Sequence, residues 1–189
     1  PASPSLYGKC VFMTFSIMRS FKNFEFLIFD MNVINEQPMI KRLLTLTLCL
    51  GIAIFSALAV RSQLQLNDLN GVQLISLMWL SIDLHYAVNT GINFGIAGDE
   101  GGPRQLMFAG LALIISIGIL IWSWRNGRLF TTIAGGLFSG GGLANAYERV
   151  VFGGVFDYLN VSATFYQNPY SFNLADVYIF GGVIMIVFA

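Results

Sequence analysis

Charge is what this sequence has least of. Lys, Arg, Asp and Glu together make up 11% of its 189 residues, whereas a typical soluble domain carries about 25%. Hydrophobic residues make up 56% of the chain, and the mean hydropathy is +0.69. Because so few charges cannot cover a surface that faces water, the composition indicates a membrane protein.

Cysteine, histidine and net charge are also scarce, and each shortage excludes a class of function. The ten basic and ten acidic residues cancel, which argues against the positive field of a nucleic-acid-binding protein. The two cysteines, Cys10 and Cys49, lie far apart and provide neither a disulfide framework nor a metal site. His85 is the single histidine. The sequence therefore predicts no metal, no cofactor and no nucleic-acid partner.

Four long apolar segments dominate the chain, and they cover residues 43–60, 106–124, 129–146 and 174–189. A helix that crosses the hydrocarbon core of a bilayer needs about 20 residues, with a range of roughly 17–25. The first three segments are long enough. The fourth ends with the last residue of the sequence, so we interpret it as a span that is cut short here.

Basic residues predict the orientation of these spans. Lys41 and Arg42 precede the first span, and Arg125 and Arg128 lie in the short turn between the second and third. Both pairs belong on the cytoplasmic side by the positive-inside rule. Residues 61–104 then lie outside the cytoplasm, and their β-branched and aromatic residues indicate strands. We expect an all-α membrane bundle of four transmembrane helices, with a small extracytoplasmic β-sheet between the first and second spans.

Residues 1–38 are an uncertain N-terminal extension, and residues 39–189 form the predicted membrane domain. The extension mixes phenylalanine with charged residues and does not begin with methionine. It fits an amphipathic segment on the membrane surface or an upstream extension before a start at Met39. The stretch after Met39 also resembles a cleavable signal peptide, although three further apolar segments favour an anchor.

Ionisable groups near the outer ends of the third and fourth spans are candidates for function, because such groups are rare at membrane depth. Asp157 and Asp176 are 19 residues apart, and a loop of that length can bring two carboxyl groups together. Two adjacent carboxyls share one proton and titrate as a unit. The charged member can take a proton from water while the protonated member polarises a carbonyl, as in an aspartic protease.

Simpler interpretations of these residues stay open from the pattern alone. Asn173 and Asp176 have the spacing of a capping box at a helix start. Asp157 follows two glycines and fits a solvated loop, whereas Glu148 and Arg149 fit an ion pair at the membrane interface. The third span is rich in small residues, which allow another helix to approach closely. The small residues at that interface include Gly136 and Gly140.

Three motifs together resemble those of lipoprotein signal peptidase, also called signal peptidase II. They read HYAVNTGINFG (85–95), GGGLANAYERVVFGGVFDYL (140–159) and FNLAD (172–176), and their order and spacing agree with that family. The resemblance covers roughly residue 39 to the C-terminus. It implies a four-span aspartic protease of the bacterial inner membrane, with its active site near the extracytoplasmic face. Such an enzyme removes signal peptides from diacylglyceryl-modified prolipoproteins and cleaves before the lipidated cysteine.

The resemblance also implies a role for individual residues. Asp157 and Asp176 match the catalytic pair, and Asn173 matches the residue that supports the second aspartate. Asn89 matches a residue near the substrate, whereas Asn145 and Arg149 match polar residues that line the site and contact the substrate backbone. The implied partners are prolipoprotein substrates and membrane lipids, and the implied state is a monomer without cofactor or metal.

Several positions depart from the family pattern. Ala59 and Gln63 stand where the first motif of the family has Asp and Lys, and Glu148 stands in place of an Asp. Ala144 and Asn93 are further departures. These changes leave two other hypotheses open. One is an impaired homologue that binds lipopeptides without cleaving them. The other is a small membrane transporter or proton relay. A transporter of this kind is expected to have further acidic residues within its spans, and the first two spans have none.

Overall fold

Residues 38–91 and 102–188 are described by the structure, which is a computed structural model. Cys10, Asn93 and almost all of the predicted extension lie outside these residues. The described part of the chain contains four helices and three strands. In chain order they are α1 (Met39–Asn67), β1 (Gln73–Ser76), β2 (Leu80–Asn89), α2 (Gly102–Asn126), α3 (Leu129–Phe152), β3 (Val155–Ala163) and α4 (Leu174–Val187).

Two of the described helices, α1 and α2, are long and apolar enough by length and composition to cross a membrane. They contain the predicted spans 43–60 and 106–124. Helix α3 has 24 residues, which corresponds to about 36 Å at 1.5 Å per residue, but its glycine, serine and threonine residues lower its hydropathy. Helix α4 begins at Leu174 as predicted and has 14 residues. The fold is therefore mostly helical, as expected of an integral membrane protein.

Helix α3 packs against the other three helices through its small residues. Toward α1, a Cβ atom added at Gly136 would lie 2.7 Å from Cβ of Cys49, and one at Gly140 would lie 2.5 Å from Cβ of Ala53. These separations leave no room for a side chain on α3. The expected close approach at Gly136 and Gly140 is confirmed, and α1 is the helix that makes it.

The other faces of α3 are equally close to their neighbours. Toward α2, Gly142 faces Ser116, and the Ser139 hydroxyl donates to the Ser116 carbonyl at 2.9 Å. Toward α4, Gly141 faces the carbonyl oxygen of Ala175. Because a backbone carbonyl cannot rotate away as a side chain does, the position of α4 depends on the absence of a side chain at Gly141.

The sheet is antiparallel with the strand order β1-β2-β3. Strand β2 pairs with β3 from Leu80 opposite Ala163 to Asn89 opposite Val155. The predicted location of the sheet was therefore incomplete, because its third strand comes from the segment between α3 and α4. The segment 155–163 contains the β-branched residues Val155 and Val161 and the aromatic residues Phe156 and Tyr158, which favour a strand.

Asp157 lies within β3, so the interpretation of a solvated glycine-rich loop was wrong. The two glycines that suggested a loop form only the turn between α3 and β3. Gly153 has φ of 73° and ends the helix in the left-handed conformation, which glycine adopts without a steric penalty. The strand starts two residues later at Val155.

The basic residues at the start of α1 and in the turn from α2 to α3 lie at the end of the bundle opposite the sheet, whereas Arg61 and Arg149 lie at the sheet end. The Arg42 guanidinium, near the start of α1, lies over the Trp124 ring at 4.8 Å from its centroid, beside the turn from α2 to α3. The other ends of α1 and α3 lead into β1 and β3. This arrangement agrees with the charge asymmetry that the positive-inside rule describes.

We expect the variant Gly141→Ala to destabilise the bundle. The added methyl group would collide with the Ala175 carbonyl, and overpacking of this kind costs about 1–3 kcal/mol. The matched control is Gly110→Ala in α2, where nothing lies within 4 Å of the added Cβ and where alanine stabilises a helix by about 0.5–1 kcal/mol. Thermal unfolding in detergent micelles measures both. Equal unfolding temperatures for the two variants would contradict the packing of α3 against α4.

Candidate active site

Asp157 is the most buried carboxyl group of the site. Its neighbours along β3, Val155 and Phe156, belong to the core, and Asp157 itself is 4% exposed. Both of its carboxyl oxygens accept a hydrogen bond from an amide side chain. Asn173 Nδ2 donates to Oδ1 at 2.8 Å, and Asn89 Nδ2 donates to Oδ2 at 3.1 Å.

Asp176 lies in the first turn of α4 and is half-buried. The predicted capping box is confirmed, because the Asn173 side chain accepts from the Asp176 N–H at 3.0 Å and Asp176 Oδ2 accepts from the Asn173 N–H at 3.1 Å. The other oxygen, Oδ1, accepts from Asn145 Nδ2 at 2.8 Å. Asp176 therefore both caps α4 and belongs to the hydrogen-bonded carboxyl site.

Asn173 links the two carboxyl groups. Besides Asp157, its Nδ2 donates to Oδ1 of Asn145 at 3.2 Å, and Asn145 in turn donates to Asp176. Each of the four carboxyl oxygens therefore accepts one N–H. Because Asn173 and Asn145 are themselves buried, the network restricts where both carboxyls can point.

Burial of the Asp157 carboxyl and, to a smaller extent, the nearby Asp176 carboxylate raise its pKa to about 6. The hydrogen bonds from Asn173 and Asn89 and the positive charge of Arg149 act in the opposite direction. Desolvation and a like charge both favour the neutral form of an acid. Asp157 therefore keeps a proton to a higher pH than an exposed aspartate would.

Arg149 lies in the last turn of α3, and its charge acts on Asp157. Its Nη1 lies 3.5 Å from the Asn145 carbonyl oxygen, and its Nε is buried without a hydrogen-bond partner among the described residues. The structure therefore brings all six predicted site residues to one end of the bundle. They are Asn89, Asn145, Arg149, Asp157, Asn173 and Asp176.

Glu148 pairs with a residue that sequence reasoning did not connect to the site. Its ion-pair partner is Arg61 of α1, with 3.3 Å between Arg61 Nε and Glu148 Oε2 in an orientation that is not a hydrogen bond. The charge of Arg149 also acts on Glu148, but the close ion-pair contact is made by Arg61. The available signal was the single charge of Arg61 just after the first apolar segment, because a buried charge needs a partner.

The contact between Arg61 and Glu148 joins three elements beside the site. Glu148 Oε2 also accepts from the backbone N–H of Phe156 at 2.8 Å, next to Asp157. The Arg61 guanidinium lies 3.6 Å from the ring centroid of Phe152 and 5.8 Å from that of Phe156, which adds cation–π attraction. Helices α1 and α3 and strand β3 therefore meet around one ion pair.

Two carboxyl groups held by amides at the end of an apolar helical bundle define a membrane protein with a candidate acid–base site. The peptidase A8 family, signal peptidase (SPase) II, matches residues 45–189. The chain belongs to this family.

Curated relatives carry the corresponding name. Lipoprotein signal peptidase of Methylorubrum extorquens (strain PA1) is 34% identical over 102 residues, which cover 52% of this chain and 57% of the relative. The protein of the same name from Yersinia pseudotuberculosis serotype O:1b (strain IP 31758) is 35% identical over 108 residues, which cover 56% of this chain and 63% of the relative. The matched part of the chain thus spans about three-fifths of these relatives.

Two solved structures described as bacterial membrane enzymes share the fold. Their TM-scores are 0.60 and 0.62, and their sequence identities are 23% and 22%. Each covers 76% of this chain, and the match covers 85% and 90% of the two solved chains. At this identity the likeness concerns the fold.

We expect the unfolding temperature of Asp157→Asn, relative to that of the parent, to be higher at pH 8 than at pH 4. The Asp157 carboxyl binds its proton more tightly in the folded chain. Its stabilising contribution is therefore complete below the unfolded pKa of about 4 and is lost as the pH rises through about 6. Above that pH the folded parent contains a buried charge that the amide variant lacks. Thermal unfolding in micelles across this pH range measures the effect.

Asp68→Asn is the control for this pH series. Asp68 is exposed at the end of α1, so its replacement removes a carboxylate from water and not from the core. A gain at pH 8 that is as large for Asp68→Asn as for Asp157→Asn would contradict the account of Asp157 as a buried acid.

We expect Arg61→Met to destabilise the chain by about 3–5 kcal/mol, because it leaves Glu148 buried without its counter-charge. The double variant Arg61→Met/Glu148→Gln should recover most of this loss, since the amide oxygen of glutamine can still accept from Phe156. Chemical or thermal unfolding of the single and double variants provides the comparison. If Arg61→Met alone unfolds like the parent, the ion pair does not stabilise the fold.

Proposed function

We propose that this chain is an aspartic endopeptidase that removes signal peptides from diacylglyceryl-modified prolipoproteins and cleaves before the lipidated cysteine. The observation that carries the proposal is the linkage of Asp157 to Asp176 through Asn173, within motifs that belong to the signal peptidase II family. The named relatives support the same substrate class.

The different environments of the two carboxyls support a division of roles. Asp157 is the more buried acid and keeps its proton to a higher pH than an exposed aspartate would, so it transfers this proton to the carbonyl oxygen of the scissile peptide bond. Asp176, which is half-buried, takes a proton from a water molecule as that water attacks the carbonyl carbon. The neutral gem-diol intermediate keeps the former carbonyl oxygen as a hydroxyl.

Breakdown of this intermediate returns both carboxyls to their starting states. Asp176 delivers its proton to the departing amine, and Asp157 recovers its proton as the new carboxyl group forms. No covalent enzyme intermediate is required. The amide donors of Asn89, Asn145 and Asn173 hold the carboxyls throughout these steps.

The surface of the bundle suits a lipid-bearing substrate. Large apolar side chains of α1 are exposed, and they include Leu44, Leu48, Ile52 and Phe55. In a bilayer these residues face lipid, and the diacylglyceryl chains of a substrate share that environment. Both carboxyls come from one chain, so a monomer is sufficient for catalysis.

We place the protein in the bacterial inner membrane with four spans, α1 to α4. Arg42 and the turn between α2 and α3 lie at one end, and the carboxyl site lies at the sheet end. By the positive-inside rule the basic end is cytoplasmic. The site then faces the extracytoplasmic side, where prolipoproteins present their cleavage sites.

We expect Asp157→Asn and Asp176→Asn each to abolish prolipoprotein processing, because either change removes one member of the acid–base pair and keeps the size of the side chain. The assay expresses the parent and variants in a bacterial strain depleted of its own enzyme and follows the conversion of prolipoprotein to the cleaved form. Asp68→Asn, at an exposed position at the end of α1, serves as the control and should process like the parent.

Processing by either Asp→Asn variant at the rate of the parent would show that the dyad is not catalytic. A parent that binds a lipidated peptide without cleaving it would instead identify an impaired homologue. For an active parent, the rate should fall as the pH rises above the range in which the carboxyl pair retains its shared proton.

A further inference from the structure

Strand β2 contains a β-bulge next to the carboxyl site. Leu84 lies opposite Leu159, but the next pair in register is Ala87 opposite Asp157. Two residues of β2, His85 and Tyr86, therefore occupy the space opposite the single residue Tyr158. An extra residue in one strand is the defining feature of a bulge, and bulges commonly re-aim side chains beside active sites.

The bulge decides which residues of β2 share a sheet face with Asp157. Without the extra residue, continuation of the pairing from Leu84 and Leu159 would place Tyr86 opposite Asp157 and Asn89 on the other face. A shift of one residue reverses the faces of all residues beyond it. With the bulge, Asn89 reaches Asp157 Oδ2 at 3.1 Å.

Side chains from outside β2 satisfy the backbone groups that the bulge displaces. The Ser171 hydroxyl donates to the His85 carbonyl at 3.0 Å, and Asn70 Oδ1 accepts from the Tyr86 N–H at 3.0 Å. Tyr158, opposite the bulge, donates its N–H to the Phe172 carbonyl at 3.0 Å. The bond from Ser171 is partly buried, and an unpaired carbonyl at this place would favour regular pairing instead.

Ser171 also connects the bulge to the other half of the site. It is buried and lies two residues before Asn173, which links the carboxyls. Between them, Phe172 exchanges backbone hydrogen bonds with Leu159 of β3 at 2.7 and 2.8 Å. The segment 171–173 therefore holds the bulge of β2 at one end and the carboxyl network at the other.

We propose that Ser171 and Asn70 are positioning residues, which keep the bulge of β2 in the register that presents Asn89 to Asp157. They act through the backbone of His85 and Tyr86 and do not touch the carboxyls. The expected changes in kcat and in its pH profile rest on the proposed peptidase function. The expected change in the sheet register does not depend on that function.

The test compares Ser171→Ala and Asn70→Ala with the parent in purified form, with a lipidated prolipoprotein peptide as substrate. Ser171→Ala should lower kcat about 10- to 100-fold, the size of effect expected from a slight misplacement of a site. KM should stay within about twofold, because substrate binding is not altered. Ser171→Thr keeps the hydroxyl and should restore most of the activity.

The pH profile provides a readout that general destabilisation would not produce. The Asn89 hydrogen bond lowers the pKa of Asp157, so its loss in Ser171→Ala should move the basic limb of the kcat profile to higher pH. The charged groups that act on Asp157, namely Asp176 on α4 and Arg149 on α3, are unchanged in this variant. Ser162→Ala is the matched control, because Ser162 bonds to Asn160 and Asn168 in the outer part of the sheet.

Amide hydrogen exchange followed by mass spectrometry tests the register without any requirement for activity. Peptides within residues 80–91 should exchange faster in Ser171→Ala and Asn70→Ala than in the parent, whereas peptides of α3 should not change. The same experiment decides the inference even if the parent cleaves no prolipoprotein, an outcome that would overturn only the peptidase proposal.

Three results would overturn the positioning role. In the first, Ser171→Ala and Asn70→Ala keep the kcat, pH profile and exchange of the parent. In the second, Ser162→Ala loses as much activity as Ser171→Ala. In the third, Ser171→Thr is as impaired as Ser171→Ala, so that packing and not the hydroxyl matters.

Discussion

A buried carboxyl group needs hydrogen-bond donors, and that need organises this protein. Asp157 is removed from water next to a second carboxyl, which is unfavourable for two acids that both ionise. Amide groups from β2, α3 and the start of α4 supply the donors. Because these donors come from three elements, the elements must meet at one end of the bundle. Asn173 is central because one side chain both caps α4 and bonds to the carboxyl of β3.

The small residues of α3 make this meeting possible. Asn145 can reach Asp176 only if α4 lies close to α3, and the missing side chain of Gly141 permits that approach. The same glycines leave α3, the helix at the centre of the bundle, without bulky side chains on the faces that contact its neighbours. The helices therefore associate through close van der Waals contact between their backbones and not through large apolar side chains, as is common between helices in membranes.

Local and motif-based signals predicted a large part of this arrangement. The apolar segments located the helices, the spacing of Asn173 and Asp176 predicted the capping box, and the motifs indicated the members of the carboxyl network. Contacts between distant segments could not be predicted in the same way. Strand β3 was interpreted as a loop because its two preceding glycines are a strong turn signal, whereas its pairing with β2 depends on residues about 70 positions away. The partner of Glu148 was missed for the same reason, since Arg61 is adjacent only in the folded chain.

The departures from the family motifs acquire a physical meaning in this structure. Ala59 and Gln63 remove two charged groups from the end of α1, which raised the possibility of an impaired site. Arg61, which lies between these two positions, instead supplies a buried positive charge to Glu148. Glu148 then accepts from the backbone N–H of Phe156, the residue before Asp157. Although glutamate is longer than the aspartate of the family motif, its carboxylate, paired with Arg61, still holds β3 to α3. A sequence motif specifies a residue type at each position. The support of Asp157 requires only that a positive charge and a carboxylate acceptor meet beside β3, and Arg61 and Glu148 provide both. For this reason the altered residues argue for a rearranged support of the carboxyl pair and not for its loss.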